Sequence, residues 1–178
     1  DFKVGPFSFF QTNVPAAERL YTDAIGLIEG LEGKIVYDLY CGTGTITQAL
    51  ATKASKVYGV EIVEESVRAA RENAAINGLS NCEFICGDVL TALDGIEVLP
   101  DIIVVDPPRS GIHPKAMKKI ASYGVDQIVY ISCNPKTMVE NLQTAIEAGY
   151  EVKIIKAYDN FAFTRHTECV CLMLRVER

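Results

Sequence analysis

The chain has 178 residues, a length that a single domain with a full hydrophobic core can use. Hydrophobic residues make up 49% and charged residues 22%, which excludes a disordered segment, and no apolar run approaches the ~20 residues of a membrane span. The net charge of −6 excludes a uniformly basic nucleic-acid binder, and Asp1-Phe2-Lys3-Val4 lacks the basic-then-apolar pattern of a signal peptide.

The chain does not begin with Met and reads as a piece of a longer protein. Its opening through Phe10 is aromatic and irregular. Helical spacing predicts a helix over Pro15–Leu31, with Gly33 beyond its end. Ile35–Leu39 is a short apolar strand that runs into a glycine-rich turn. Helix over Thr45–Lys53, strand over Lys56–Glu61 and helix over Val63–Asn77 follow, the last closed by Gly78. Next come a strand at Glu83–Cys86, a short helix at Val89–Leu93 and a strand at Asp101–Val105. Pro114–Ser122 reads as helix with proline in its first turn. Gln127–Ile131 as strand and Lys136–Ala148 as helix repeat the unit. Tyr150–Tyr158 and Glu168–Val176 finish as strands joined by a loop, hence antiparallel neighbours. Repeated βα units predict an α/β fold with a mostly parallel, doubly wound sheet and an antiparallel C-terminal strand.

The six cysteines lack Cys-x-x-Cys spacing, so no metal site is expected and the pattern fits a reducing cytoplasm. Cys82, Cys86, Cys169 and Cys171 fall in apolar runs and read as small buried hydrophobes. Charge is uneven along the chain. Residues 1–108 carry seven Lys/Arg against sixteen Asp/Glu, a balance of −9, and residues 109–178 carry ten against seven, a balance of +3. The second half could therefore meet phosphates locally, although ordinary solvated residues give the same count.

Asp38-Leu39-Tyr40-Cys41-Gly42-Thr43-Gly44-Thr45 places a Gly-x-Gly turn between strand and helix, where backbone can approach a ligand closely. A dinucleotide fingerprint wants a third glycine at position 47, which is Thr47, so a nicotinamide-dependent oxidoreductase is the weaker reading. Glu61 ends the second strand, where a carboxylate can take ribose hydroxyls. Gly87-Asp88 follows the third strand, suited to an adenine edge. Asp38 would repel a pyrophosphate but tolerate a sulfonium or ammonium, which favours S-adenosylmethionine.

Cys133, in Ser132-Cys133-Asn134-Pro135, leaves the end of an apolar strand, and a helix N-terminus just beyond favours a thiolate. Glu168, in His166-Thr167-Glu168, is a carboxylate at the start of another apolar strand, either a base, a partner of Arg165 or part of an exposed strand face. His113 and His166 read as polar packing residues. Asp106-Pro107-Pro108-Arg109, after the fourth strand, makes a stiff loop, since successive prolines fix the backbone.

These motifs, with Phe9-Phe10-Gln11-Thr12-Asn13, resemble the RNA 5-methyluridine methyltransferases over nearly the whole chain. The resemblance implies a Rossmann-like class I S-adenosylmethionine-dependent methyltransferase fold. It implies Gln11, Tyr40, Gly42, Thr45, Glu61, Asp88 and Asp106 as cofactor-binding residues, Cys133 as nucleophile and Glu168 as base. Thr45 stands where the tRNA-modifying branch has Asn, which favours ribosomal RNA, the 23S molecule, as partner. The family's N-terminal RNA-binding β-barrel and central domain are not in this sequence, so residues 1–178 correspond to the catalytic domain, expected to be monomeric, cytoplasmic and free of membranes. A 5-methylcytidine enzyme also adds cysteine to carbon 6 and stays open as a reading, as does a cofactor-binding module without catalysis.

Overall fold

The computed structural model describes residues 13–161 and 164–176. The aromatic opening segment and Gln11 lie outside them. Among the described residues six α-helices and six strands alternate before a final strand: α1 (Val14–Gly26), β1 (Ile35–Leu39), α2 (Thr45–Ala51), β2 (Lys56–Glu61), α3 (Glu64–Ile76), β3 (Cys82–Cys86), α4 (Val89–Ala92), β4 (Ile102–Val105), α5 (Pro114–Ser122), β5 (Gln127–Ser132), α6 (Pro135–Glu147), β6 (Tyr150–Tyr158) and β7 (Glu168–Arg175). The described strands form one sheet in the order β3-β2-β1-β4-β5-β7-β6. β1 to β5 pair in parallel, and β7 runs antiparallel to both of its neighbours. The expected doubly wound sheet and antiparallel C-terminal pair are both present.

Side chains alternate across each strand, so each central strand feeds two cores. Tyr37, Leu39, Ile103 and Val105 face a cluster with α4, α5 and α6, whereas Val36, Ile102 and Val104 face one with α1 and α2. β4 is buried throughout because it lies in the middle of the sheet with helices on both faces, which is why its sequence is a plain apolar run.

The first helix stops at Gly26 rather than at Leu31. Ile28 and Leu31 are buried as a helical pattern would require, but the helix closes in tight turns at Leu27 and Ile28, and Gln127 holds the backbone beyond them. Its side chain accepts from Glu29 N–H at 2.9 Å and donates to Glu29 C=O at 2.8 Å. Such a contact between distant residues outweighs local spacing. Cys169 and Cys171 are buried as expected, but Cys82 is half-buried and Cys86 exposed, because β3 is an edge strand. β6 forms the other edge, with a register break between Val152 and Ile154. Lysines at 153 and 156 and this break discourage pairing with further strands. Among the described residues no helix is long and apolar enough to cross a membrane.

Candidate active site

Strand order changes direction at β1, which has β2 on one side and β4 on the other. Crevices at the carboxyl ends of such strands are where α/β sheets hold ligands. A cavity of about 890 Å³ opens there, lined from the ends of β1, β2, β4 and β5 and from α1.

One end is built from backbone. Tyr40 and Cys41 donate their N–H groups to Val60 C=O at 2.8 and 3.0 Å, pinning the turn to β2. Tyr40 takes φ 66°, alone in the left-handed region among described non-glycine residues. Gly44 has φ 80° and caps α2, and a Cβ there would meet the Phe84 ring at 2.9 Å. This position accepts glycine only, for both reasons. Glu61 Oε2 accepts from Gly42 N–H at 3.1 Å and Oε1 from Val63 N–H at 2.9 Å. A carboxylate has about four lone-pair directions, so both oxygens remain able to accept hydroxyls.

Asp38 lies fully buried beneath this turn. Thr47 Oγ1 donates to its Oδ2 at 2.5 Å, while Oδ1 has no partner among the described residues. Burial pushes its pKa up to about 7, against the pull of the Thr47 bond. A buried carboxylate oxygen without a donor beside a glycine turn fits a ligand that carries positive charge. An aminoacyl sulfonium such as S-adenosylmethionine meets that description, and the paired glycines leave room for it.

The other end is built from side chains. Pro107, Pro108 and Arg109 form one wall, and Cys133 and Glu168 share the floor. β7 is antiparallel to β5 with Ser132 opposite Cys169, so the ladder's next step sets Cys133 beside Glu168. Glu168 is only 5% exposed, and its charged neighbour is Arg109 rather than Arg165. Burial raises the Glu168 carboxyl above the ordinary range and Arg109 partly opposes this. Burial, then the charges of Glu168 and Asp106, raise the Cys133 thiol, with Arg109 again opposing. Burial and the two carboxylates thus work against the thiolate that the α6 N-terminus is expected to favour. Asp106 is pushed up to about 7 by burial, and then by Asp38 and Glu168.

Of the residues singled out from sequence, Tyr40, Gly42, Thr45, Glu61, Asp106, Cys133 and Glu168 line this one cavity. Asp88 does not. It is exposed, and its carboxylate accepts from Leu90 N–H at 2.9 Å as the cap of α4. Gln11 lies outside the described residues. His113 caps α5, as a packing role would have it, but His166 lines the cavity with its ring against the Arg109 guanidinium. Sequence reading missed Glu18, Tyr21 and Phe161, which only folding brings there. It also missed Ile62 and Val63, 63% and 51% exposed just after Glu61. An apolar pair exposed beside an acidic strand end was a signal that could have found them.

A sheet of this order, with a ligand crevice across the switch point, is the fold of class I S-adenosylmethionine-dependent methyltransferases. Magnesium protoporphyrin IX methyltransferase from Synechocystis superposes with a TM-score of 0.74 over 98% of this chain and 87% of that one, at 15% identity, a likeness of fold alone. Within that fold the chain belongs to the tRNA (uracil-5-)-methyltransferase family, whose model matches residues 2–176. An uncharacterized RNA methyltransferase of Clostridium tetani is 49% identical over 95% of this chain and 37% of its own length. The tRNA (uracil-54, C5)-methyltransferase of Pyrococcus abyssi, solved with S-adenosyl-L-homocysteine, is 35% identical with a TM-score of 0.85, over 98% of this chain and 42% of that one. The chain thus spans well under half the length of these relatives.

Proposed function

We propose that residues 1–178 are the catalytic domain of an enzyme that methylates carbon 5 of uracil in RNA, with ribosomal RNA, the 23S molecule, as substrate. The observation that carries this reading is one cavity with the glycine turn and Glu61 at one end and Cys133 beside Glu168 at the other. Tyr40, Gly42, Thr45, Glu61 and Asp106 would hold the cofactor, joined by Gln11 as family resemblance implies, while Asp88 stands outside the cavity as the cap of α4. When bound, S-adenosylmethionine supplies an electrophilic methyl group on a sulfonium.

Carbon 5 of uracil is too weakly nucleophilic to take that methyl unaided. The Cys133 thiolate adds to carbon 6, and the electron pair of the ring double bond moves toward carbon 5 and the carbonyl beyond it. Carbon 5 takes the methyl group, leaving carbon 5 with both methyl and hydrogen. Glu168 removes that proton, the ring double bond re-forms and the Cys133 thiolate leaves. A raised carboxyl suits a base that must hold the proton and then release it. Arg109 offsets the negative charge around Cys133, and the prolines keep the wall of the pocket still. A uracil in folded RNA must swing out to reach this floor.

Ribosomal rather than transfer RNA is supported by Thr45 at the first position of α2. The Pyrococcus relative acts on tRNA, which keeps tRNA as the alternative substrate in the test. Labelled methyl incorporation into purified rRNA and tRNA, with nucleoside analysis, decides between them and separates 5-methyluridine from 5-methylcytidine. Incorporation into tRNA alone would overturn the ribosomal assignment. RNA containing 5-fluorouridine should form a covalent adduct through Cys133, since fluorine cannot be removed as a proton.

A further inference from the structure

The Asp106-to-Ile112 loop and the start of α6 are far apart in sequence, yet four side-chain hydrogen bonds join them. Asn134 Nδ2 donates to Arg109 C=O at 2.9 Å, and Thr137 Oγ1 reaches the same carbonyl at 3.3 Å. One turn further on, Asn141 accepts from Ile112 N–H at 2.8 Å and donates to Ile112 C=O at 2.7 Å. Tyr130 of β5 donates to the same Asn141 oxygen at 2.8 Å, so strand, helix and loop are tied together. The loop fits flush on this face of α6. A Cβ at Gly111 would lie 2.9 Å from both Asn141 Oδ1 and Thr137 Cβ, and its φ of 75° also requires glycine.

Asn134 does two jobs. Its oxygen caps α6 by accepting from Lys136 N–H at 3.2 Å, which Ser or Asp would do as well. Its amide nitrogen grips the loop, for which Asp has no donor and the shorter Ser hydroxyl lacks the reach. The same division recurs at α1, where Asn13 accepts from Ala16 N–H and its amide donates to Asn160 C=O at 2.9 Å, on the loop that leads to Glu168.

We propose that Asn134 is a positioning residue that locks the Asp106–Arg109 wall in register with the adjacent Cys133. This rests on the reading of Cys133 as nucleophile. The bond is from the residue next to the thiol to the carbonyl of the residue whose cation faces it. Slack between them misplaces Arg109 relative to the sulfur, and displacements of about 1 Å cost on the order of 100-fold in rate.

Asn134→Ser separates the two jobs, because it keeps the cap and loses the grip without adding charge. It should melt like the parent and bind S-adenosylmethionine equally, yet lose at least about tenfold in kcat with KM for RNA unchanged. The pH midpoint of Cys133 alkylation, followed by mass spectrometry of its peptide, should rise by about half a unit or more as Arg109 moves off. Asn134→Asp should rise further, since it adds a negative charge. If Asn134→Ser lowers the melting temperature, Gly111→Ala opens the same joint with the cap intact and should shift alkylation the same way. Parental kcat and midpoint in these variants would overturn the proposal. Methylation that survives Cys133→Ala would instead overturn the nucleophile assignment, and the alkylation profile, which needs no turnover, would still judge the brace.

Discussion

The two ends of the cavity are held by different means. At the glycine turn, backbone N–H groups of Tyr40, Cys41 and Gly42 bond to β2, so side chains there are free to serve the ligand. At the Cys133 end, backbone is held by side chains of α6, and Arg109, Cys133 and Glu168 come from the ends of three separate strands. A backbone-held site depends on glycines and a few acids close in sequence. A side-chain-held site depends on register across the sheet, and substitutions there should affect rate before they affect binding.

The largest effect tests that contrast directly. Cys133→Ala should abolish methylation and the 5-fluorouridine adduct, a loss of several orders of magnitude, with cofactor affinity unchanged. Glu168→Gln should instead accumulate a methylated RNA–protein adduct that survives denaturing electrophoresis. Normal turnover in Glu168→Gln would assign proton removal to another group.

At the other end, Glu61→Ala should weaken S-adenosylmethionine binding by about 1–3 kcal/mol in calorimetry, the loss of a charged hydrogen-bonding partner. Unchanged affinity would remove Glu61 from the ribose site.

Asp38 and Asp106 join the two ends, and both have pKa values near 7. An unfolded chain ionises these groups near pH 4. Between those values the folded protein binds more protons than the unfolded one, so their contribution to stability is full below about pH 4 and is lost as pH rises through about 7. The cofactor-free protein should therefore melt lower at pH 8 than at pH 5, by roughly 2–4 °C for each kcal/mol lost. Asp38→Asn should flatten the profile. A melting temperature that rises over this range would mean that the carboxyls are already ionised when folded.

The smallest expected effect concerns Asp88. Asp88→Ala should cost roughly 0.5 kcal/mol of stability, as the cap of a single-turn helix, and weaken cofactor binding less than Glu61→Ala. Equal losses of affinity would return Asp88 to the cofactor site.

Strands β1, β2 and β6 and helix α5 were legible to the residue, because strand-forming runs, nearby glycines and an N1 proline are local signals. The end of α1 was not, since Gln127 acts on it across the fold. The same division runs through the site. Gly42, Thr45 and Glu61 follow strand ends one by one and could be read in order. The raised Cys133 thiol could not, because it comes from burial and then from Glu168 at the start of β7 and Asp106 just past β4.

By itself, the sequence determined the alternation of strands and helices, the glycine turn and the chemical types available: one thiol after a strand, one carboxylate before another, one stiff proline loop. These depend on propensities and periodicities that act within a few residues. Tertiary structure decided which of them meet. Inserting β7 antiparallel between β5 and β6 set Glu168 beside Cys133 and turned His166 toward Arg109, while at the β3 edge Asp88 became a helix cap outside the cavity. Strand order and register are settled by the burial of whole faces, and no local run of residues carries that information.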